Sequence, residues 1–159
     1  MPQFAMLWAN HPQVTGEPAL LDQATYTDQC AINLSAALMR SGNDMKSFHG
    51  VMSWQKDKPR YAIRAQELAN WLASPASRLP GKVAKMKASE AFDQIKGRKG
   101  IVFIQNYWGP GHQGDHIDLW NGTRLTDRFS WARIHLRVSW EGTFSDFRKA
   151  QSIWFWELQ

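Results

Sequence analysis

The periodicity of this chain changes once, between Gly97 and Gly100. Before that point apolar residues recur at spacings of three and four. After it they run in short extended stretches bounded by turn residues. Cys30, Leu34, Ala37 and Leu38 share one helical face, and Ala65, Leu68, Ala69 and Leu72 share another. Residues 100–108 read as a buried strand and residues 116–120 as a second. Asn121-Gly122 between apolar runs is a strong hairpin signal, with residues 123–126 returning. Residues 152–158 read as a closing strand. Helices first and strands second predict an α+β fold with an antiparallel sheet, in a single domain spanning residues 1–159.

Local signals refine this outline. Thr27 and Asp28 precede the first helix as candidate caps, and Gly42 follows it as a stop. A second helix covers Arg64 to Leu72, and a third runs from near Ser89 through Ile95 to a stop at Gly97. Pro12, Gly16 and Pro18 make the opening stretch irregular. Residues 48–61 read as loop. The densest basic segment, residues 80–87, reads as solvated chain. Residues 129–138 carry no clear period.

A chain of 159 residues buries about 68–70% of the surface its unfolded form exposes, so it needs no covalent staple. Its one cysteine excludes an internal disulfide. No apolar run approaches the length of a membrane span, and the opening residues lack the charged and apolar regions of a secretory signal. The expectation is a protein made in the cytoplasm without a signal peptide and without membrane insertion. The formal charge is +5, with acidic residues interspersed among the basic ones, a modest bias toward polyanions. The nine tryptophans weigh more, because an indole joins a large apolar face to a donor. Some fill the core, and others suit a groove for sugars or peptides.

The lone thiol, Cys30, opens a helix. There the helix dipole and free N–H groups favour a thiolate and can receive an oxyanion. A base must accompany it. His11 lies in the irregular start, His49 in a loop, His135 in the unassigned segment and His112 in a glycine-rich loop. His116 begins a strand, which holds a side chain more rigidly, and is favoured. Asp118, two residues on, points to the same face. Asp127 lies beyond the turn, where the returning chain comes back beside the strand. Either carboxylate can orient the imidazole. Gln29 and Tyr26 are candidate second oxyanion donors. Zinc is disfavoured, because glycines and a proline around His112 and His116 exclude the helix that would bring them together. No cofactor is expected.

Three segments carry a resemblance. They are Asp28-Gln29-Cys30-Ala31-Ile32-Asn33-Leu34-Ser35, Asn106-Tyr107-Trp108, and Gly114-Asp115-His116-Ile117-Asp118-Leu119-Trp120-Asn121-Gly122. In order and spacing they resemble the type VI secretion amidase effectors of the fourth group. The resemblance implies a papain-like fold of the NlpC/P60 type, with the cysteine helix packed on a C-terminal sheet. It implies cleavage of the γ-D-glutamyl–meso-diaminopimelate bond of peptidoglycan stems. It further implies delivery by the type VI secretion apparatus into the periplasm of target Gram-negative cells, and a cognate immunity protein as inhibitor. By position it assigns Cys30 as nucleophile, His116 as base and Asp127 as orienter. Gln29, Tyr107, Trp108 and Asp118 are then expected around the substrate. Some members carry a further cysteine pair, which this chain lacks. Two rival readings are a CHAP-type wall hydrolase that cuts another bond, and a non-enzymatic module that holds glycan or nucleic acid on its tryptophans. No nucleic-acid partner is expected on the favoured reading.

Overall fold

In a computed structural model of the chain, residues 3–79, 82–108, 114–126 and 150–159 are described. The chain divides into two compact units, Met1–Pro80 and Gly81–Gln159.

The first unit is helical. The opening stretch, expected to be irregular, forms two short helices, α1 (Phe4–Asn10) and α2 (Pro12–Thr15). Pro12 starts α2 instead of breaking the chain. At the first helical position its missing N–H costs nothing and its fixed φ already suits a helix. His11 joins the two helices. It is 1% exposed, and its ring Nδ1 accepts the Gln13 N–H at 3.3 Å, so this histidine is a structural cap. Gly16 ends α2 at φ 76°, a left-handed conformation that glycine adopts without strain.

The cysteine helix, α3 (Cys30–Arg40), has the expected bounds. Residues 31–38 of α3 are all buried. Ile32 and Ala36 pack with Leu21, Tyr26 and Tyr61 in one cluster. A fully buried aliphatic side chain of this kind contributes about 1.5–3 kcal/mol. Ser35 sits inside this region without cost. Its hydroxyl donates to the Ala31 carbonyl at 2.7 Å and accepts the Ala62 N–H at 3.1 Å. Helix α4 (Ala65–Leu72) buries Ala65, Leu68, Ala69, Trp71 and Leu72, and a short 3-10 helix (Pro75–Ser77) follows.

Arg40, at the end of α3, makes a two-pronged pair with Glu17 at 2.7 and 2.8 Å. The hydrogen bonds from Arg40, and then from the Thr15 hydroxyl, hold the Glu17 carboxyl at about 2, well below its ordinary 4.5. A carboxyl whose pKa falls on folding stabilises the protein above its ordinary value and loses that contribution as pH falls toward the folded one. The pair is partly exposed, and such pairs are worth ~0.2–1 kcal/mol. Glu17→Gln is therefore expected to lower Tm slightly at pH 7 and to leave it unchanged near pH 2. Thermal melts at the two pH values check this, and equal losses at both would refute the assignment.

Among the described residues, the second unit is a four-stranded sheet with one helix. Its elements are β1 (Ala84–Met86), α5 (Ala88–Ile95), β2 (Gly100–Trp108), β3 (Gly114–Trp120) and β4 (Ser152–Glu157). The strand order is β1-β4-β2-β3, and every pairing is antiparallel. The short strand β1 falls within the basic segment expected to be solvated. Lys85 lays its ammonium over the Trp154 ring, 3.9 Å from the centroid, a cation–π contact on the sheet edge. Helix α5 covers one sheet face. Ala88, Ala91, Phe92 and Ile95 pack with Val102, Ile104, Trp120, Leu125, Ile153 and Phe155. Gly100, paired with both Trp120 and Glu157, admits no side chain. A Cβ there would stand 2.0 Å from the Trp156 carbonyl oxygen.

Candidate active site

Two sets of groups matter, one in each unit. In the first, Cys30 is half-buried at the first position of α3. The preceding loop is braced from within. The Gln29 amide nitrogen donates to the Tyr26 carbonyl at 2.5 Å and to the Leu21 carbonyl at 3.5 Å. Its Oε1 is buried without a partner. Gln29 thus holds the loop that leads to the thiol. The donor that an oxyanion or a substrate would need is turned to backbone carbonyls. The Tyr26 hydroxyl, the other candidate donor, accepts the Trp54 N–H at 3.2 Å. Asp28 caps as the sequence suggests, its Oδ1 accepting the Cys30 N–H at 3.2 Å.

In the second unit, period-two alternation puts His116, Asp118 and Trp120 on one face of β3. Cross-strand pairing of His116 with Ile104 and of Asp118 with Val102 makes that the face α5 covers. The His116 side chain is 21% exposed and that of Asp118 only 2%. His116 Nε2 lies 3.2 Å from Asp118 Oδ2. The other carboxylate oxygen, Oδ1, accepts the Leu119 N–H at 2.7 Å and the Thr126 hydroxyl at 2.6 Å. Asp118 therefore faces inward, to the imidazole and to Thr126. The sequence places Asp118 among the residues expected around the substrate, and its side chain is 2% exposed.

Thr126 reaches Asp118 through the turn the sequence anticipates. Asn121 Oδ1 accepts the N–H groups of Thr123 and Arg124, both at 2.9 Å, and Trp120 bridges to Leu125. Gly122 has φ 100° and lies so close to Gly97 that a Cβ would stand 3.2 Å from the Gly97 Cα. The sequence alone does not single out Thr126, whose hydroxyl bonds Asp118. The eight-residue spacing from Asp118 across an Asn-Gly turn was the signal that could have found it.

The end of β2 is irregular. Its register with β3 shifts between Ile104 and Trp108, and Asn106 takes φ 54°, a region asparagine tolerates better than most residues. Asp115 Oδ1 accepts the Asn106 N–H at 2.8 Å, and the Asn106 side chain bonds Gln151. Tyr107 and Trp108 occupy the last two positions of β2. Asp127, His112 and His135 lie outside the described residues. Of the remaining histidines, His11 is the buried cap and His49 is exposed. Among the described residues, no three His, Cys, Asp or Glu side chains group as metal ligands, and no helix is long and apolar enough to cross a membrane.

A polar cavity of about 590 Å³, lined by Asn43, Lys46, Ser47, Ser77 and Arg78 among others, opens beyond the C-terminal end of α3. Cys30 starts that helix, so the thiol and the cavity are separated by its length, roughly 15 Å at 1.5 Å per residue.

A thiol at a helix start and an imidazole backed by a carboxylate are groups used in nucleophilic hydrolysis. Comparison with known proteins gives the class. Residues 26–156, more than four fifths of the chain, match the family model for type VI secretion system amidase effector protein 4, Tae4. The fold is similar to that of Tae4 from Enterobacter cloacae, solved in complex with Tai4. There the TM-score is 0.67 at 22% identity, covering 100% of this chain and 99% of that one. It is likewise similar to Salmonella typhimurium Tae4, solved with the E. cloacae immunity protein Tai4, at a TM-score of 0.68 and 17% identity, with all of both chains covered. A search of curated protein sequences returned no match. The chain belongs to the type VI secretion amidase effector 4 family.

Proposed function

We propose that this amidase effector is a cysteine endopeptidase of papain-like, NlpC/P60 type. Its substrate is the γ-D-glutamyl–meso-diaminopimelate bond of peptidoglycan stems. The observation that carries the reading is the ordered chain His116–Asp118–Thr126. It presents imidazole Nε2 to a buried carboxylate that Thr126 holds in turn. The helix-borne, half-buried Cys30 supplies the matching nucleophile.

In this mechanism His116 takes the Cys30 proton and the thiolate attacks the γ-glutamyl carbonyl. The Cys30 N–H, bonded to Asp28 in the resting protein, turns to the developing oxyanion. The C–N bond then breaks. His116 delivers its proton to the departing diaminopimelate amine, and a thioester remains. Water, deprotonated by the same imidazole, releases the acyl group and regenerates the thiol. Asp118 orients His116. The resemblance assigns that role to Asp127, which lies outside the described residues.

The family match supports a biological setting for this reading. The chain acts as an antibacterial toxin, carried by the type VI apparatus into the periplasm of a target cell. A cognate immunity protein protects the producer, as the Tae4–Tai4 complexes of the relatives suggest. The deciding experiment is mass spectrometry of fragments released from diaminopimelate-type sacculi. Fragments ending at D-glutamate, with a new free diaminopimelate amine, support the reading. Cleavage at a different wall bond would favour the CHAP-type alternative.

A further inference from the structure

Trp54 stands apart from the other described tryptophan side chains, of which Trp8 is half-buried and the rest are buried. Trp120 and Trp156 are 0% and 1% exposed, and Trp71 and Trp154 are 8% and 9%. Trp54 is 60% exposed. Leaving an indole in water forfeits a large apolar burial, yet this one is held in place. Its ring packs on the buried Tyr26 ring at 4.8 Å between centroids. The Trp54 backbone N–H donates to the Tyr26 hydroxyl at 3.2 Å.

The loop that carries Trp54 is closed at its base. The Ser53 N–H donates to the Tyr61 carbonyl at 2.8 Å, and the Tyr61 N–H donates to Ser53 Oγ at 2.9 Å. Arg60 Nε adds a bond to the Ser53 carbonyl at 3.2 Å. The exposed crown of the loop carries Lys56, Lys58 and Arg60 against one acid, Asp57. Tyr26, under the indole, is also the residue whose carbonyl Gln29 grips beside Cys30. A pre-ordered aromatic face with a cationic rim is thus joined through Tyr26 and Gln29 to the loop that delivers the thiol.

We propose that Trp54 is a glycan platform. Its face takes the C–H side of a pyranose in the sugar strand, while Lys56 and Lys58 meet the free carboxylates of the attached stem. The negative face of the indole attracts polarised C–H groups, and ammonium groups pair with carboxylates, so a glycopeptide carrying both fits this surface. The inference rests on the peptidoglycan reading above and deepens it. It makes the sugar-bearing stem, and not the free peptide, the preferred substrate.

The test compares two soluble substrates with the full chain, a disaccharide-linked stem peptide and the same peptide without sugar. The unaltered protein is expected to show a KM about tenfold lower for the glycosylated substrate, the size of one well-made stacking contact. Trp54→Ala is expected to abolish that preference, and Trp54→Phe to retain most of it. A preference that survives Trp54→Ala overturns the platform, even if the variant binds an immunity protein less well. So does the absence of any preference in the unaltered protein. Failure of the unaltered protein to cleave either substrate overturns the peptidoglycan reading itself, and the platform with it.

Discussion

Cys30→Ala is expected to reduce release of stem fragments from purified sacculi by on the order of 10⁵–10⁶, the scale of loss when a hydrolase loses its nucleophile. The substitution removes one sulfur from a half-buried position at the first residue of α3. Alanine is the best helix former, and the eight buried residues that anchor the helix, 31–38, remain. Tm should therefore change little, which separates loss of chemistry from loss of fold. Cys30→Ser keeps shape and hydrogen bonding but not the acidity of a thiol, and should be nearly as inactive. Sacculus digestion at an undiminished rate by a folded Cys30→Ala protein would remove the nucleophile assignment and the mechanism built on it.

Asp118→Asn is expected to lower kcat by on the order of 10²–10⁴-fold with little change in KM. The upper end is the loss seen when the orienting aspartate of the serine-protease triad becomes asparagine. The surrounding bonds dictate the reason. Oδ1 of Asp118 accepts from the Leu119 N–H and from the Thr126 hydroxyl, so an asparagine keeps its carbonyl oxygen there. Its amide nitrogen then faces His116 Nε2 and donates to it. That places the ring proton on Nδ1, where the lone pair that should receive the thiol proton is needed. The substitution inverts the tautomer while preserving the shape. A pH–rate profile distinguishes this from a packing defect, because the limb belonging to His116 should move. Thr126→Val, which frees Oδ1 from one bond, should shift the same limb by less. A wild-type rate and profile in Asp118→Asn, with collapse in Asp127→Asn, would return the orienting role to Asp127 alone.

Much of this was readable in the chain. Cys30–Arg40 was legible because Asp28 and Gly42 punctuate its ends and the apolar spacing between them is strictly helical. The placement of His116 and Asp118 on one face followed from strand geometry alone. Other features depend on information that local pattern does not carry. Pro12 reads as a breaker, although at the first helical position it is an initiator. Ala84–Met86 is too short to display a period, and its strand character comes from pairing with residues about seventy positions later. The contact of Thr126 with Asp118 depends on the register across the Asn121 turn. The inward turn of Gln29 depends on where the Tyr26 and Leu21 carbonyls fall.

The strand order β1-β4-β2-β3 bears on how the protein comes into being. β2 and β3 meet as near neighbours along the chain. The strand that seals the other side of β2, β4, is synthesised some fifty residues after β2 begins. Until it arrives, the row of amides along that side of β2 has no partner, and the sheet bearing the imidazole is half built. Loop-closure entropy makes such a distant pairing slow compared with a hairpin. A chain growing on the ribosome therefore completes its histidine-bearing sheet only after β4 has emerged and paired with β2.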